Sequence, residues 1–123
     1  MENIEEQCLE KLNKILSKFD LKIELINIQS NFLEYLLVDN SIPEIECIGP
    51  WLSISHILVS SQSIFDCLKK YYDTVNSSSF SYIIFSDSQL SKFQRYSKVY
   101  QSIQPLKSSC LEEIIIKMDL MGI

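Results

Sequence analysis

The chain has 123 residues, a net charge of −5 and 46% hydrophobic residues. That is enough for one domain with its own core and too apolar for a disordered chain. No apolar run approaches the roughly 18 residues that span a bilayer, and the acidic start MENIEEQC is unlike a secretory leader, so a cytoplasmic protein is expected.

In chain order, residues 3–19 are predicted to form an amphipathic helix. Ile4, Cys8, Leu12, Ile15, Leu16 and Phe19 recur at 3.6-residue spacing opposite Glu5, Glu6, Lys11, Lys14 and Lys18. The period then drops to two. Leu21, Ile23 and Leu25 alternate with Lys22 and Glu24, and Leu33, Tyr35 and Leu37 alternate with Glu34 and Leu36. A third short strand is read with Ile45 and Cys47 inward and Glu44 and Glu46 outward, which completes an antiparallel meander. Gly49-Pro50 breaks the chain, and WLSISHILVS after it reads equally as a fourth strand or as an irregular entry to a helix.

That helix is predicted from about residue 61 to 75, with Ile64, Phe65, Leu68, Tyr72 and Val75 inward. The compact apolar run 80–85 reads as a further, central strand reached by a crossover. A helix over about 89–103 would turn Leu90, Phe93, Tyr96, Tyr100 and Ile103 to the core, with Asp87 or Ser88 as its cap. Pro105 ends it. Ser109-Cys110-Leu111-Glu112 reads as the capping box of a last helix, about 110–121. The expected fold is a single α+β domain spanning 1–123, in the order α-β-β-β-(β)-α-β-α-α.

Four cysteines, Cys8, Cys47, Cys67 and Cys110, lie within apolar patterns and form no CxxC pair. They are expected to be reduced thiols. His56 is the only histidine, which argues against a zinc site, and SISHILV suits a hydrogen-bonded structural histidine. Only two glycines occur, so there is no phosphate-cradling loop. No cofactor or metal is expected.

Charge is unevenly spread. Residues 1–50 carry ten acids and four bases, and between Lys22 and Lys69 there is no Lys or Arg. A phosphate-gripping surface needs a basic stripe, so direct nucleic-acid binding there is not expected. Lys92, Arg95 and Lys98 recur three apart on the 89–103 helix. They read as a solvated face, since three bases are fewer than a usual phosphate footprint.

The stretch VDNSIPEIECIGPW concentrates the informative residues: Asp39, Glu44 and Glu46, followed by Trp51. Exposed acids beside an aromatic are the composition of a surface for a basic partner. Tyr71, Tyr72 and Asp73, at the end of the 61–75 helix, form a second such group. Asp39, Glu44, Glu46, Trp51, Tyr71, Tyr72 and Asp73 are therefore the expected partner-binding residues, with the three hairpin acids exposed.

Two resemblances follow. The element order over residues 3–85 resembles the core of the PD-(D/E)xK nuclease-like fold. That resemblance implies Asp39 and Glu44 as metal-holding acids, but Glu46 stands where the family has its lysine. As a small acidic protein without catalytic machinery, the chain also looks like a bacterial immunity protein of the contact-dependent growth inhibition or bacteriocin type. This second resemblance implies a cognate toxin domain, basic and nuclease-type, bound through an acidic surface. No motif defines that class, so it assigns no residue a role. A regulatory adaptor unrelated to toxins is the remaining reading.

Overall fold

The computed structural model describes residues 4–28, 33–42, 54–77 and 87–122. Over these the protein is α+β, with an antiparallel sheet of three strands and helices packed on one of its faces.

Helix α1 (Ile4–Leu16) buries Cys8, Leu12, Ile15 and Leu16, as its spacing requires, and leaves Glu6, Lys11 and Lys14 exposed. It tightens into a 3₁₀ turn at Ser17–Phe19. Asp20, at φ 59°, then turns the chain sharply into the first strand. Strand β1 (Leu21–Ile28) pairs antiparallel with β2 (Leu33–Asp39), with Leu21 opposite Asp39, Ile23 opposite Leu37 and Leu25 opposite Tyr35. The register shifts between Leu25 and Asn27, which leaves Ile26 as a bulged, exposed residue.

The ambiguous segment after Gly49-Pro50 resolves as strand β3 (His56–Ser61), antiparallel to β2 on its other side, with Leu37 opposite Ile57 and Val38 opposite His56. The described sheet is thus an antiparallel meander, as expected, with His56–Ser61 as its third strand. Residues 44–47, expected to supply a third strand, and the strand expected over 80–85 lie outside the described residues.

Helix α2 (Phe65–Val75) starts four residues later than predicted because Ser61 still belongs to β3. The Ser61 and Asp66 side chains bond across this corner, and Ser63 Oγ accepts the Phe65 N–H at 3.2 Å. The helix packs on β3 and β2, and α3 (Asp87–Ile103) packs on α2. After Pro105, α4 (Leu111–Leu120) closes against α1 and α3. The expected capping box does not form. Cys110 takes the cap position without a side-chain hydrogen bond, and Gly122, at φ 66°, ends the segment. None of the described helices is long and apolar enough to cross a membrane.

One core joins the layers. Leu21, Ile23, Tyr35, Leu37 and Ile57 from the sheet meet Leu12, Leu16, Phe19, Leu68, Tyr96, Ile103 and Met118 from the helical side. Helix α1 also tends the edge of β1. Asn13 Nδ2 donates to the Ile23 carbonyl at 2.9 Å, and the Ile23 N–H donates to Asn13 Oδ1 at 2.8 Å. The side-chain amide thus bonds the strand as a neighbouring strand would.

Candidate functional site: a buried ion pair behind a tyrosine groove

Period-two alternation puts residues 33, 35, 37 and 39 on one face of β2, and so turns Asp39 inward at the end of an apolar row. On α3, Lys92 falls on the same stripe as Tyr96, Val99 and Ile103. On α2, Tyr71 lies on the stripe of Ile64, Cys67 and Leu68. The fold brings these three side chains together.

Lys92 Nζ donates to Asp39 Oδ1 at 2.7 Å and to Oδ2 at 2.6 Å, and also bonds Ser41 Oγ. Tyr71 Oη donates to Asp39 Oδ2 at 2.8 Å. The Ser41 N–H and hydroxyl both donate to Oδ1, at 3.0 and 2.6 Å. Asp39 is 1% exposed, Lys92 3% and Tyr71 0%.

Burial pulls the Lys92 ammonium below its ordinary range, while the charge and hydrogen bond of Asp39 work against that fall. Burial, followed by the neighbouring Asp39 charge, pushes the Tyr71 hydroxyl well above its ordinary range. Tyr71 is therefore a neutral donor.

These facts correct three expectations. Asp39 is not a solvent-exposed acid of a docking surface; its pairing with Lys92 is what makes its burial tolerable. Tyr71 is core rather than surface, its ring edge-on to Tyr96 with centroids 4.7 Å apart. Lys92 does not share a solvated face with Arg95 and Lys98, which are exposed. The α3 stripe also turns Leu90, expected inward, to 47% exposure. Glu44, Glu46 and Trp51 lie outside the described residues.

Tyr72 and Asp73, the other two expected binding residues, reach the surface. They line a groove between α2 and α3 together with Lys69, Tyr100, Gln101 and Gln104. Tyr72 stacks on Tyr100 at a centroid distance of 4.4 Å and an angle of 22°, and Tyr100 stacks in turn on Phe65 at 5.7 Å. Gln101 Nε2 donates to Tyr72 Oη at 3.2 Å. One turn along α2, Lys69 Nζ lies 2.8 Å from Asp73 Oδ2, with both side chains more than half exposed. Burial raises the Tyr100 hydroxyl; the Asp73 charge adds to that rise and the Lys69 charge opposes it.

The floor of the groove is tied by buried hydrogen bonds. Tyr96 Oη donates to the Leu68 carbonyl at 2.6 Å one turn before Tyr72, which locks α2 against α3. The Asp39–Lys92–Tyr71 cluster ties the same two helices to the end of β2. Among the described residues no group of His, Cys, Asp and Glu is arranged to hold a metal ion. Cys8 and Cys67 are buried thiols, and Cys110 is an exposed one. His56 is exposed, with its Nδ1 2.9 Å from Ser55 Oγ. No protein family, curated protein or solved structure matches the chain.

Proposed function

We propose that this protein is a non-catalytic binding module. On this reading it is a cytoplasmic immunity protein that holds a cognate, basic, nuclease-type toxin domain through an acidic and aromatic surface. The observation that carries the reading is the groove at Tyr72 and Asp73. There a stacked tyrosine pair and an exposed carboxylate stand on a floor held by buried hydrogen bonds. A preformed aromatic surface loses little entropy on binding, and tyrosine is among the residue types enriched at interface hot spots.

The acid balance of residues 1–50 supports a basic partner, because opposite charge speeds encounter and penalises wrong pairings. The alternative of a metal-dependent nuclease loses support at Asp39. Both of its oxygens are engaged by Lys92, Tyr71 and Ser41, and the positive charge beside it is an ammonium.

The test is surface binding kinetics at two salt concentrations against a purified basic, nuclease-type toxin domain, taken from the gene next to this protein's own if that gene encodes one. Asp73→Lys and the double variant Glu44→Lys/Glu46→Lys should remain folded and associate more slowly, with a weaker salt dependence than the unaltered protein. A folded Asp73→Lys protein that binds with unchanged kinetics would remove the groove from the interface. Absence of binding by the unaltered protein would return the reading to an adaptor with another partner.

A further inference from the structure

We infer that the groove between α2 and α3 receives a single arginine side chain of the partner protein, and that Lys69 occupies that place in the unbound protein. The inference rests on the binding reading and names the chemistry of its contact.

The groove already holds a cation against Asp73. Lys69 and Asp73 are one turn apart on α2 and lie 2.8 Å apart in an exposed pair. An exposed pair of this spacing on a helix is weak and exchanges readily with other ions. The remaining wall is built for a flat cation rather than a spherical one. Tyr72 stacks on Tyr100, and both residues line the groove. Gln101 and Gln104 bring amide oxygens, which accept N–H bonds. A guanidinium satisfies all three elements together: it lies flat on a ring, forks to a carboxylate and donates sideways to amide oxygens. An ammonium is a point donor and meets only the carboxylate well, as Lys69 does. A basic partner supplies such a side chain.

The proposal predicts an unusual sign for a substitution. Lys69→Gln removes the resident cation and should strengthen binding of an arginine probe. Lys70, its exposed neighbour, is not among the residues lining this groove, so Lys70→Gln should have a smaller effect. The probe is N-acetyl-arginine methylamide, followed by amide and side-chain chemical shifts of the full chain, with N-acetyl-lysine methylamide as the comparison.

Saturable shifts should centre on Tyr72, Asp73, Gln101 and Gln104. They should be at least about tenfold weaker in Asp73→Asn and in Tyr72→Leu, about twofold stronger in Lys69→Gln, and weaker for the lysine compound. Equal gains in Lys69→Gln and Lys70→Gln would show a general charge effect and overturn the proposal. So would shifts spread over surface acids such as Glu10 and Glu24, or no saturable shift at all.

A toxin arm separates the two readings. A toxin domain that binds unaltered protein and Asp73→Asn equally well keeps the binding function and overturns the arginine contact. Saturable arginine binding in the groove without any toxin binding keeps the groove chemistry and overturns the toxin assignment.

Discussion

At the scale of single residues, Lys92 and Asp39 dominate. Each is a charge that an apolar interior accepts only because the other is present. Removing one partner of a buried pair leaves the second charge stranded, which costs about 3–5 kcal/mol. Lys92→Met should therefore destabilise the protein by roughly that amount in urea denaturation. The double variant Lys92→Met/Asp39→Asn should recover part of the loss, because no full charge then remains buried. A Lys92→Met protein as stable as the original would show that Asp39 has another counter-charge.

Cys67 supplies a second residue-scale prediction. Burial, reinforced by the nearby Asp66 charge, pushes its thiol from the ordinary 9.0 to about 12. Between those values the folded protein holds a proton that the unfolded chain releases. The associated stability is complete below pH 9 and is lost as pH rises towards 12, by about 1.4 kcal/mol per pH unit. The raised hydroxyls of Tyr71 and Tyr96 act in the same direction above pH 10. Lys92, with its lowered value, acts in the opposite direction, gaining stability up to 10.5. Melting curves between about pH 8 and 10.5 should show a falling midpoint, and Cys67→Ala should flatten the fall. Identical slopes in the two proteins would mean that the thiol is solvated.

At the scale of elements, Asn13 joins α1 to the outer strand of the described sheet. Its amide must present a donor to the Ile23 carbonyl and an acceptor to the Ile23 N–H. Asn13→Asp keeps the shape but turns a carboxylate oxygen towards the carbonyl, so the donor is lost. The expected cost is about 1–3 kcal/mol, read as a shift of the urea midpoint without change in its slope. A neutral result would show that the α1–β1 join rests on packing alone. On the side of β1 that has no further described strand, a helix side chain thus takes a strand partner's place at Ile23.

At the scale of the whole molecule, the core is continuous across α1, the sheet and the remaining helices, so its buried thiols should open together. Alkylation mapped by peptide mass should label Cys110 rapidly in the native protein and leave Cys8 and Cys67 protected. In rising urea, Cys8 on α1 and Cys67 on α2 should become reactive over the same range. Earlier labelling of Cys8 would show that α1 detaches as a separate unit.

Periodicity read from the sequence located all four described helices and the β1–β2 hairpin, because apolar spacing of 3.6 or 2 is a local property of the chain. It also held the clue to the buried cluster. Asp39 continues the inward row of Leu33, Tyr35 and Leu37, and Lys92 and Tyr71 lie on apolar stripes of their helices. Read for charge alone, Asp39 looked like part of an acidic surface and Lys92 like part of a basic face. What periodicity does not contain is which inward charge meets which. Asp39 and Lys92 are separated by 53 positions, and their pairing follows from how α3 packs on α2 above the end of β2. The same packing decided that His56–Ser61 lies beside β2, and that Tyr72, only partly buried, rather than Tyr71 reaches the surface. A helix stripe fixes a direction only to within a fraction of a turn, and the neighbouring helix selects the residue at its margin.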